Sequence, residues 1–331
     1  MLMRLMPGNS IGEICYNIIV IYLIFTLLLT LYSVIRMRVV NGKINCKKNG
    51  RERMHKLSHE GRLSQLPVYT MDEMASNKKL SEVRLTFFPC DNPIDHRFVI
   101  VLPGGGYAHC CTTTEGYPVA AKINELGHHA FILEYRTRFN CSPYAPMEDL
   151  AKAIVYIKNH QDLFDVTLED YAICGFSAGG NLAGIFGGRE RGYEFYDVPK
   201  PKTIILGYPW TNLNHWHDHP YWNIWMAMMG VWLSVRCFIY MFGFFSKKDV
   251  RDSLCVQNYI DEDYPDTFMM AGGLDTLVPA SRHADVMEAA LTEHNVNHIY
   301  RKYFRLPHGI GVASKTSAEK WLDEAVEFWS R

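Results

Sequence analysis

The chain has 331 residues, with 34 Lys and Arg against 35 Asp and Glu, so its formal net charge is −1 and its sequence pI is about 6.9. This length fits one large domain with an extension, and no basic stripe typical of nucleic-acid binding is present. A Gly-x-x-x-x-Gly-Lys phosphate loop and an internal repeat are also absent from the sequence. We therefore expect no nucleic-acid partner.

A charge-free apolar run occupies residues 14–35, after an N-terminal tail of residues 1–13. As a helix with a rise of about 1.5 Å per residue, this run would be long enough to cross the hydrocarbon core of a bilayer. It predicts an uncleaved, single-pass membrane anchor. A cleavable signal peptide is one alternative, although the run is long for a signal core and no Ala-x-Ala site follows it. A soluble helix or a mis-chosen start is another.

Basic residues lie mainly on the C-terminal side of this run. Arg4 alone precedes it, whereas Lys and Arg recur through residues 36–62. The positive-inside rule then places the catalytic domain in the cytoplasm. We expect residues 36–65 to form a flexible basic linker near anionic lipid headgroups. The nine cysteines have no Cys-x-x-Cys pair and no metal-site spacing, which fits a reducing compartment.

Strand-like and helix-like runs alternate through residues 66–331, which we assign to the catalytic domain. The strands are predicted near residues 82–88, 97–102, 129–134, 171–174, 203–206, 267–271 and 298–304. The helices are predicted near residues 117–126, 146–160, 178–186, 279–294 and 316–330. This alternation favours an α/β fold with a mostly parallel sheet covered on both faces, its first strand antiparallel at the edge.

A glycine-rich loop, Pro103-Gly104-Gly105-Gly106-Tyr107, follows the apolar run 98–102. Glycines accept backbone conformations that other residues avoid, so such a loop can turn its N–H groups toward a substrate. A plain flexible turn is the alternative. We expect the N–H groups of Gly105 and Gly106, together with that of Ala178 further along the chain, to form an oxyanion hole.

The segment Gly175-Phe176-Ser177-Ala178-Gly179 follows an apolar strand run and precedes the helical run 181–185. This strand–turn–helix context presents the central serine as a nucleophile. The two flanking glycines have no Cβ, so the strand and the helix can approach closely. A serine hydroxyl needs a base to take its proton and an acid to hold that base. In this arrangement the acid and then the base follow the serine along the chain.

Residues 212–260 interrupt the alternation of strands and helices, and we expect them to form a cap. Within them, residues 221–245 are rich in Trp, Met and Phe and carry one charge, at Arg236. A single membrane crossing there would separate Ser177 from the acid and the base that follow it. We therefore interpret the insertion as a cap that packs on the core, lines an apolar acyl pocket or dips into the membrane interface.

Three histidines, His215, His217 and His219, alternate at the start of this insertion. On a strand they would share one face and could bind a metal ion. The segment resembles a loop, however, and no second cluster of ligands is evident. We expect no metal site and no organic cofactor.

Asp275 is the candidate acid, because it lies just past the strand-like run 267–271. Its alternative role is only to cap the following helix, where Pro279 suits the first turn. Asp266 precedes the same strand and Asp285 falls inside the following helix, so both lie away from the required end.

His308 is the candidate base, because it follows the last predicted strand, 298–304, in a Pro-His-Gly segment. A loop at a strand end is where the base is required. His298 begins the same strand and therefore lies at the wrong end of it.

Together these segments resemble the small esterases of the α/β-hydrolase superfamily, the group of the feruloyl-esterase-like, acetylxylan-esterase-like and hormone-sensitive-lipase-like enzymes. The matching segments follow the family's order from about residue 80 onward: Leu-Pro-Gly-Gly-Gly-Tyr (102–107), Glu-Gly-Tyr-Pro-Val-Ala (115–120), Glu-Tyr-Arg (134–136), Gly-Phe-Ser-Ala-Gly-Gly (175–180), Gly-Tyr-Pro (207–209), Gly-Leu-Asp-Thr-Leu-Val-Pro (273–279) and Pro-His-Gly (307–309). Two departures, Pro103 and Asn181, stand where many relatives have His.

The residues and the resemblance predict a membrane-anchored serine hydrolase that acts on carboxylic esters, with acetyl or short acyl groups as the expected substrates. The expected catalytic residues are Ser177, Asp275 and His308, which would act through an acyl-enzyme. An aryl-formamidase or a peptidase could use the same residues. A hydrolase-like binding protein without activity is the alternative of another class.

Overall fold

The structure is a computed structural model that describes residues 10–43, 46–138, 142–214 and 247–331. Most of the predicted cap, including residues 221–245 and the three alternating histidines, lies outside the described residues. The division of the chain into tail, anchor, linker and catalytic domain with a cap therefore stays a prediction.

Eight strands form one sheet in the part of the chain that the structure describes, in the order β1-β2-β4-β3-β5-β6-β7-β8. The strands are β1 (Ser64–Pro67), β2 (Arg84–Phe88), β3 (Phe98–Leu102), β4 (His129–Glu134), β5 (Ala172–Phe176), β6 (Thr203–Gly207), β7 (Asp266–Gly272) and β8 (His298–Tyr303). Strands β3 to β8 are parallel to one another, whereas β2 pairs antiparallel with both β1 and β4. The predicted mostly parallel sheet is confirmed.

Each strand predicted from the sequence is present, but the predicted edge is wrong. The first predicted strand is β2, and it is antiparallel as expected. The edge of the sheet is instead β1, which pairs with β2. Its sequence, Ser-Gln-Leu-Pro, is too short and too polar to be recognised as a strand. Proline is tolerated there because an edge strand leaves some of its N–H groups unpaired.

Helices cover both faces of the sheet, as predicted. The α-helices in the described part of the chain are α1 (Ile11–Lys43), α2 (Cys46–His59), α3 (Met71–Ser76), α4 (Tyr117–Glu125), α5 (Ala145–Asn159), α6 (Gln161–Phe164), α7 (Ala178–Phe186), α8 (Lys248–Asp252), α9 (Ala284–Glu293) and α10 (Trp321–Ser330). Ile100 of β3 packs in one apolar cluster with α5, α7 and α9, and Val101 packs in another with α2, α4 and α10. Successive strand side chains point to opposite faces, so a strand covered on both sides is apolar throughout.

Two helices begin later than the sequence predicts. The predicted helix 279–294 starts with a separate 3₁₀ turn, Ala280–Arg282, before α9 begins at Ala284. The predicted helix 316–330 begins only at Trp321. Turn residues precede both helices, and apolar periodicity does not mark where a turn becomes a helix.

Helix α1 contains a candidate membrane span, Ile11–Tyr32, judged by its length and apolar composition. The side chains of this span are largely exposed, as Ile18 and Leu28 illustrate. A signal sequence near an N-terminus passes the same test of length and apolar composition, so the anchor stays a prediction.

The flexible linker predicted for residues 36–65 is wrong in its middle part, because α2 packs against the catalytic domain. Leu57 is fully buried in the apolar cluster that also contains Val119 and Ile123 of α4. Gly50 lies so close to α4 that a Cβ atom there would be 2.5 Å from the Pro118 nitrogen. Arg53 forms an ion pair of 2.7 Å with Asp91 and donates to the carbonyl of Pro89. Basic residues that suggest a solvated linker therefore hold the helix in place.

Replacing Leu57 with alanine should destabilise the protein by about 2–5 kcal/mol, because it removes a fully buried side chain and leaves a cavity. Leu163→Ala is the matched control, since Leu163 is 70% exposed and its loss should change stability by less than about 0.5 kcal/mol. Denaturant unfolding of the detergent-solubilised protein, followed by tryptophan fluorescence, measures both. Equal stability of the two variants would show that α2 is not docked.

Candidate active site

Ser177 lies on a sharp turn between β5 and α7. Its backbone is in a strained conformation, with φ of 51° and ψ of −115°. A Cβ atom on Gly179 would be 2.1 Å from the carbonyl oxygen of Leu102, and one on Gly175 would be 2.3 Å from that of Gly179. Only glycines fit at these two positions, so the Gly-x-Ser-x-Gly pattern is a steric requirement of the turn.

The three predicted catalytic side chains meet at the carboxyl ends of the strands. His308 Nε2 lies 2.9 Å from Ser177 Oγ, and His308 Nδ1 lies 2.6 Å from Asp275 Oδ2. All three residues are buried, each less than one-tenth exposed. The order hydroxyl, imidazole and carboxylate is the arrangement in which a serine can be deprotonated.

Asp275 does not cap the following helix, because the 3₁₀ turn Ala280–Arg282 and α9 begin after Pro279 and His283 without a side-chain cap. One carboxylate oxygen, Oδ1, accepts hydrogen bonds from the N–H groups of Leu277 and Val278, at 3.0 and 2.7 Å. The other oxygen contacts His308. The turn therefore fixes the carboxylate in the orientation that holds the imidazole.

The environment raises the pKa of His308 above its ordinary value. Burial acts in the opposite direction and is the largest single influence, but the charge and the hydrogen bond of Asp275, with a smaller effect of Glu115, outweigh it. The interaction of the His308 imidazolium with Asp275 therefore stabilises the folded chain fully when the pH is below the ordinary histidine pKa. This stabilisation is lost as the pH rises through the raised pKa of His308.

The glycine loop after β3 lies directly against the nucleophile turn. Gly105 and Gly106 both have positive φ, 127° and 61°. A Cβ atom on Gly104 would be 2.8 Å from Ser177 Cβ. Among the described residues, no acceptor is hydrogen-bonded to the N–H groups of Gly105, Gly106 or Ala178. These three groups are available to a developing oxyanion, which is the role predicted for them.

Residues that the sequence analysis did not assign support this loop from behind. Glu115 Oε2 accepts a hydrogen bond of 2.8 Å from the N–H of Gly104, and Tyr135 donates one of 2.6 Å to the carbonyl of Pro103. Glu115 Oε1 accepts a further bond of 2.9 Å from the Tyr208 hydroxyl. All three side chains belong to segments that carry the family resemblance, which was the only signal that could have marked them.

Tyr107 and Asn181 connect the glycine loop to the insertion. The Tyr107 hydroxyl donates to Asn181 Oδ1 at 2.7 Å, and Asn181 Nδ2 donates to the carbonyl of Leu254 at 2.8 Å. Leu254 belongs to the end of the predicted cap segment. Asn181, one of the two departures from the family pattern, thus links α7 to the base of the insertion.

Other candidate residues lie where the sequence predicts. Asp266 begins β7 and His298 begins β8, both at the opposite edge of the sheet from Ser177, and Asp285 lies inside α9. Within the described ranges no group of three His, Cys, Asp or Glu is arranged to hold a metal ion. Cys174 is buried in β5 as a small core residue.

The sheet order, the serine turn after β5 and the histidine loop after β8 define an α/β-hydrolase fold. The model of the BD-FAE family matches residues 87–291, well over half of the chain, and the chain belongs to this family.

Two curated proteins are similar to parts of the chain. Endo-1,4-beta-xylanase B of Butyrivibrio fibrisolvens is 31% identical over 120 residues, which are 34% of this chain and 19% of that protein. An acetylxylan esterase of Xylanibacter ruminicola is 27% identical over 138 residues, 42% of this chain and 27% of that protein. The chain thus matches about a quarter or less of each relative's length.

Solved structures share the fold at low sequence identity. The acetyl ester-xyloside bifunctional hydrolase of Caldicellulosiruptor lactoaceticus superposes with a TM-score of 0.66 at 22% identity, covering 81% of this chain and 95% of that one. A lipase/esterase of Lactobacillus plantarum superposes with a TM-score of 0.60 at 17% identity, covering 81% and 97%. At these identities the likeness shows the fold.

Asp275→Asn should lower the pKa of His308, because the amide has no negative charge to stabilise the imidazolium. Burial, which lowers this pKa, is then opposed less strongly. An NMR titration of isotope-labelled histidine should place the midpoint of His308 at a lower pH than in the wild type. Asp285→Asn is the control, since Asp285 contacts Tyr300 and Lys302 instead. An unchanged midpoint in Asp275→Asn would refute the coupling.

Proposed function

We propose that the protein is a membrane-anchored serine hydrolase that cleaves carboxylic esters of acetyl or other short acyl groups. The observation that carries this proposal is the continuous chain of hydrogen bonds from Ser177 through His308 to Asp275. The family and the fold support the same reaction class.

In the first half of the reaction, Ser177 Oγ attacks the ester carbonyl carbon while His308 Nε2 takes the hydroxyl proton. Asp275, bonded to Nδ1, orients the ring and stabilises the imidazolium. The tetrahedral intermediate then collapses, the bond to the alcohol oxygen breaks, and His308 returns the proton to the leaving alcohol. The acyl group is left on Ser177.

The N–H groups of Gly105, Gly106 and Ala178 would hold the negative oxygen of each tetrahedral intermediate. Ala178 is the first residue of α7, where N–H groups have no partner within the helix and the helix dipole favours negative charge. Donors fixed in a buried site stabilise charge without reorganising during the reaction.

In the second half, His308 takes a proton from a water molecule, and the resulting hydroxide attacks the acyl carbonyl. Collapse of this intermediate returns the proton to Ser177 Oγ and releases the carboxylic acid. The protein's own side chains supply all the proton transfers of the cycle.

The proposed acyl group follows from the relatives. One curated relative is described as an acetylxylan esterase, and one structural neighbour as an acetyl ester-xyloside hydrolase. Both descriptions concern acetyl esters, so a short acyl group is the substrate that the comparisons favour.

Ser177→Ala should reduce hydrolysis of p-nitrophenyl acetate by several orders of magnitude, because the nucleophile is removed while the fold is kept. Ser81→Ala, at an exposed serine that bonds only the carbonyl of Lys78, is the matched control and should keep wild-type turnover. A panel of acyl esters, formamides and short peptides should be cleaved with esters preferred. Unchanged hydrolysis by Ser177→Ala, or cleavage of amides alone, would refute the esterase proposal.

Membrane anchoring is the second part of the proposal, and the length and apolar composition of α1 support it. The excess of Lys and Arg after residue 35 supports a cytoplasmic catalytic domain. Docking of α2 on α4 would then hold this domain next to the bilayer surface.

Two arginines introduced together at Ile21 and Leu28 should release the protein from membranes, because a charge at the centre of a span costs about 2.5–3.5 kcal/mol. The fraction that stays in the membrane pellet after alkaline carbonate extraction measures this. The control carries arginines at Ile94 and Leu163, which are exposed on the catalytic domain, and should stay in the pellet. Retention of the Ile21 and Leu28 double variant would contradict anchoring by α1.

A further inference from the structure

Glu115 is a buried acidic residue that the reaction described above does not use. Glu115 is 4% exposed, and among the described residues no Lys or Arg forms an ion pair with it. Burial raises the pKa of Glu115, against the opposing effects of His308 and of the hydrogen bonds from Tyr208 and Gly104. A carboxyl group without a Lys or Arg partner is costly to bury, so its place beside Gly104, directly behind the Ser177 turn, points to a functional role.

Two hydrogen-bonded paths leave the Glu115 carboxyl group. Oε2 accepts from the N–H of Gly104, the residue that precedes the two proposed oxyanion glycines. Oε1 accepts from the Tyr208 hydroxyl, whose oxygen in turn accepts from the N–H of Gly311 at 2.8 Å. Gly311 is three residues after His308. One side chain thereby joins the oxyanion loop to the loop that carries the base.

The intermediate residue, Tyr208, is itself held firmly. Its N–H donates to the carbonyl of Met270 at 2.7 Å, and its ring packs edge-on against the ring of His308 with centroids 4.8 Å apart. Its φ of 39° is unusual for a residue with a side chain. Gly311 also has positive φ, and a Cβ atom there would lie 2.7 Å from the carbonyl oxygen of Thr114. The hydrogen-bonded path from Glu115 through Tyr208 to Gly311 is therefore held at a nearly fixed length.

We propose that Glu115 is a positioning residue that fixes the oxyanion loop and the His308 loop relative to each other across Ser177. This inference rests on the proposed ester hydrolysis. Glu115 acts through Gly104 on one side and through Tyr208 on the other, and it does not touch the substrate. Its role is to hold the oxyanion donors and the base close to the same reacting carbonyl.

The charge of Glu115 has a second effect, because it favours the protonated form of His308. The titratable groups that act on His308 are Asp275 and Glu115, and Glu115 itself interacts with Tyr208 and Tyr135, whose pKa values are both raised by burial. Loss of the Glu115 charge therefore lowers the pH at which His308 becomes the neutral base.

Glu115→Gln is the sharpest variant, because it keeps the shape of the side chain. Only one of its two terminal atoms is an acceptor, so either the Gly104 N–H loses its partner or the Tyr208 hydroxyl must turn and accept where it now donates. We expect kcat for p-nitrophenyl acetate to fall roughly 10- to 100-fold with KM unchanged, as for a small displacement of catalytic groups. The acid limb of the pH profile should move to lower pH.

Tyr208→Phe tests the same connection from the other side and keeps the ring against His308. It should also lower kcat with little change in KM. Tyr171→Phe is the matched control. Tyr171 is equally buried and precedes the first residue of β5, at the end of the strand away from Ser177, and its hydroxyl donates to the carbonyl of Pro199. This control should keep wild-type kcat. Should Glu115→Gln fail to fold, the comparison of these two tyrosine variants decides the question.

The rate of labelling by a fluorophosphonate measures Ser177 reactivity without any choice of ester, since Ser177 Oγ attacks phosphorus and fluoride leaves. We expect slower labelling of Glu115→Gln and Tyr208→Phe than of wild type. If wild type reacts and both folded variants react equally fast, the inference fails and the proposed function stands. If folded wild type neither labels nor hydrolyses any ester, the proposed function fails and the inference fails with it.

Discussion

The close approach of β5 and α7 at Ser177 is the constraint on which the rest of the site depends. The N–H of Ser177 donates to the carbonyl of Gly207, and the carbonyl of Ser177 accepts from Trp210, so β6 and the chain after it hold the strained turn from one side. The glycine loop after β3 presses on the other side, where Gly104 leaves no space for a Cβ atom. Because Ser177 is fixed in this way, the proposed base and the proposed oxyanion donors can reach it only from the edge of the sheet at the carboxyl ends of the strands.

That edge explains why much of the site could be predicted from the sequence. The carboxyl ends of parallel strands meet on one side of a sheet, so residues just past β5, β7 and β8 are brought together by position alone. Ser177, Asp275 and His308 each follow a recognisable apolar strand, and the structure places their side chains in contact. The glycine loop follows β3 for the same reason.

The supporting residues could not be found in this way. Glu115 and Tyr208 are 93 positions apart, and neither belongs to a periodic pattern that would mark it as buried. A glutamate in a Thr-rich segment is ordinarily interpreted as a surface residue. The docking of α2 could not be predicted for a related reason, because Asp91, which neutralises this basic helix, belongs to a loop about 35 residues further along the chain.

The packed α2 helix also bears on how far from a membrane the proposed active site could act. A flexible tether lets a domain explore a volume that grows with the length of the chain, whereas here only residues 44 and 45 lie between the long apolar helix and a helix fixed to the domain. With α1 in a bilayer, as proposed, Ser177 would be held within a narrow range of distances from the lipid surface. Esters displayed at that distance would meet it at high local concentration, and identical esters closer to or farther from the surface would be out of range.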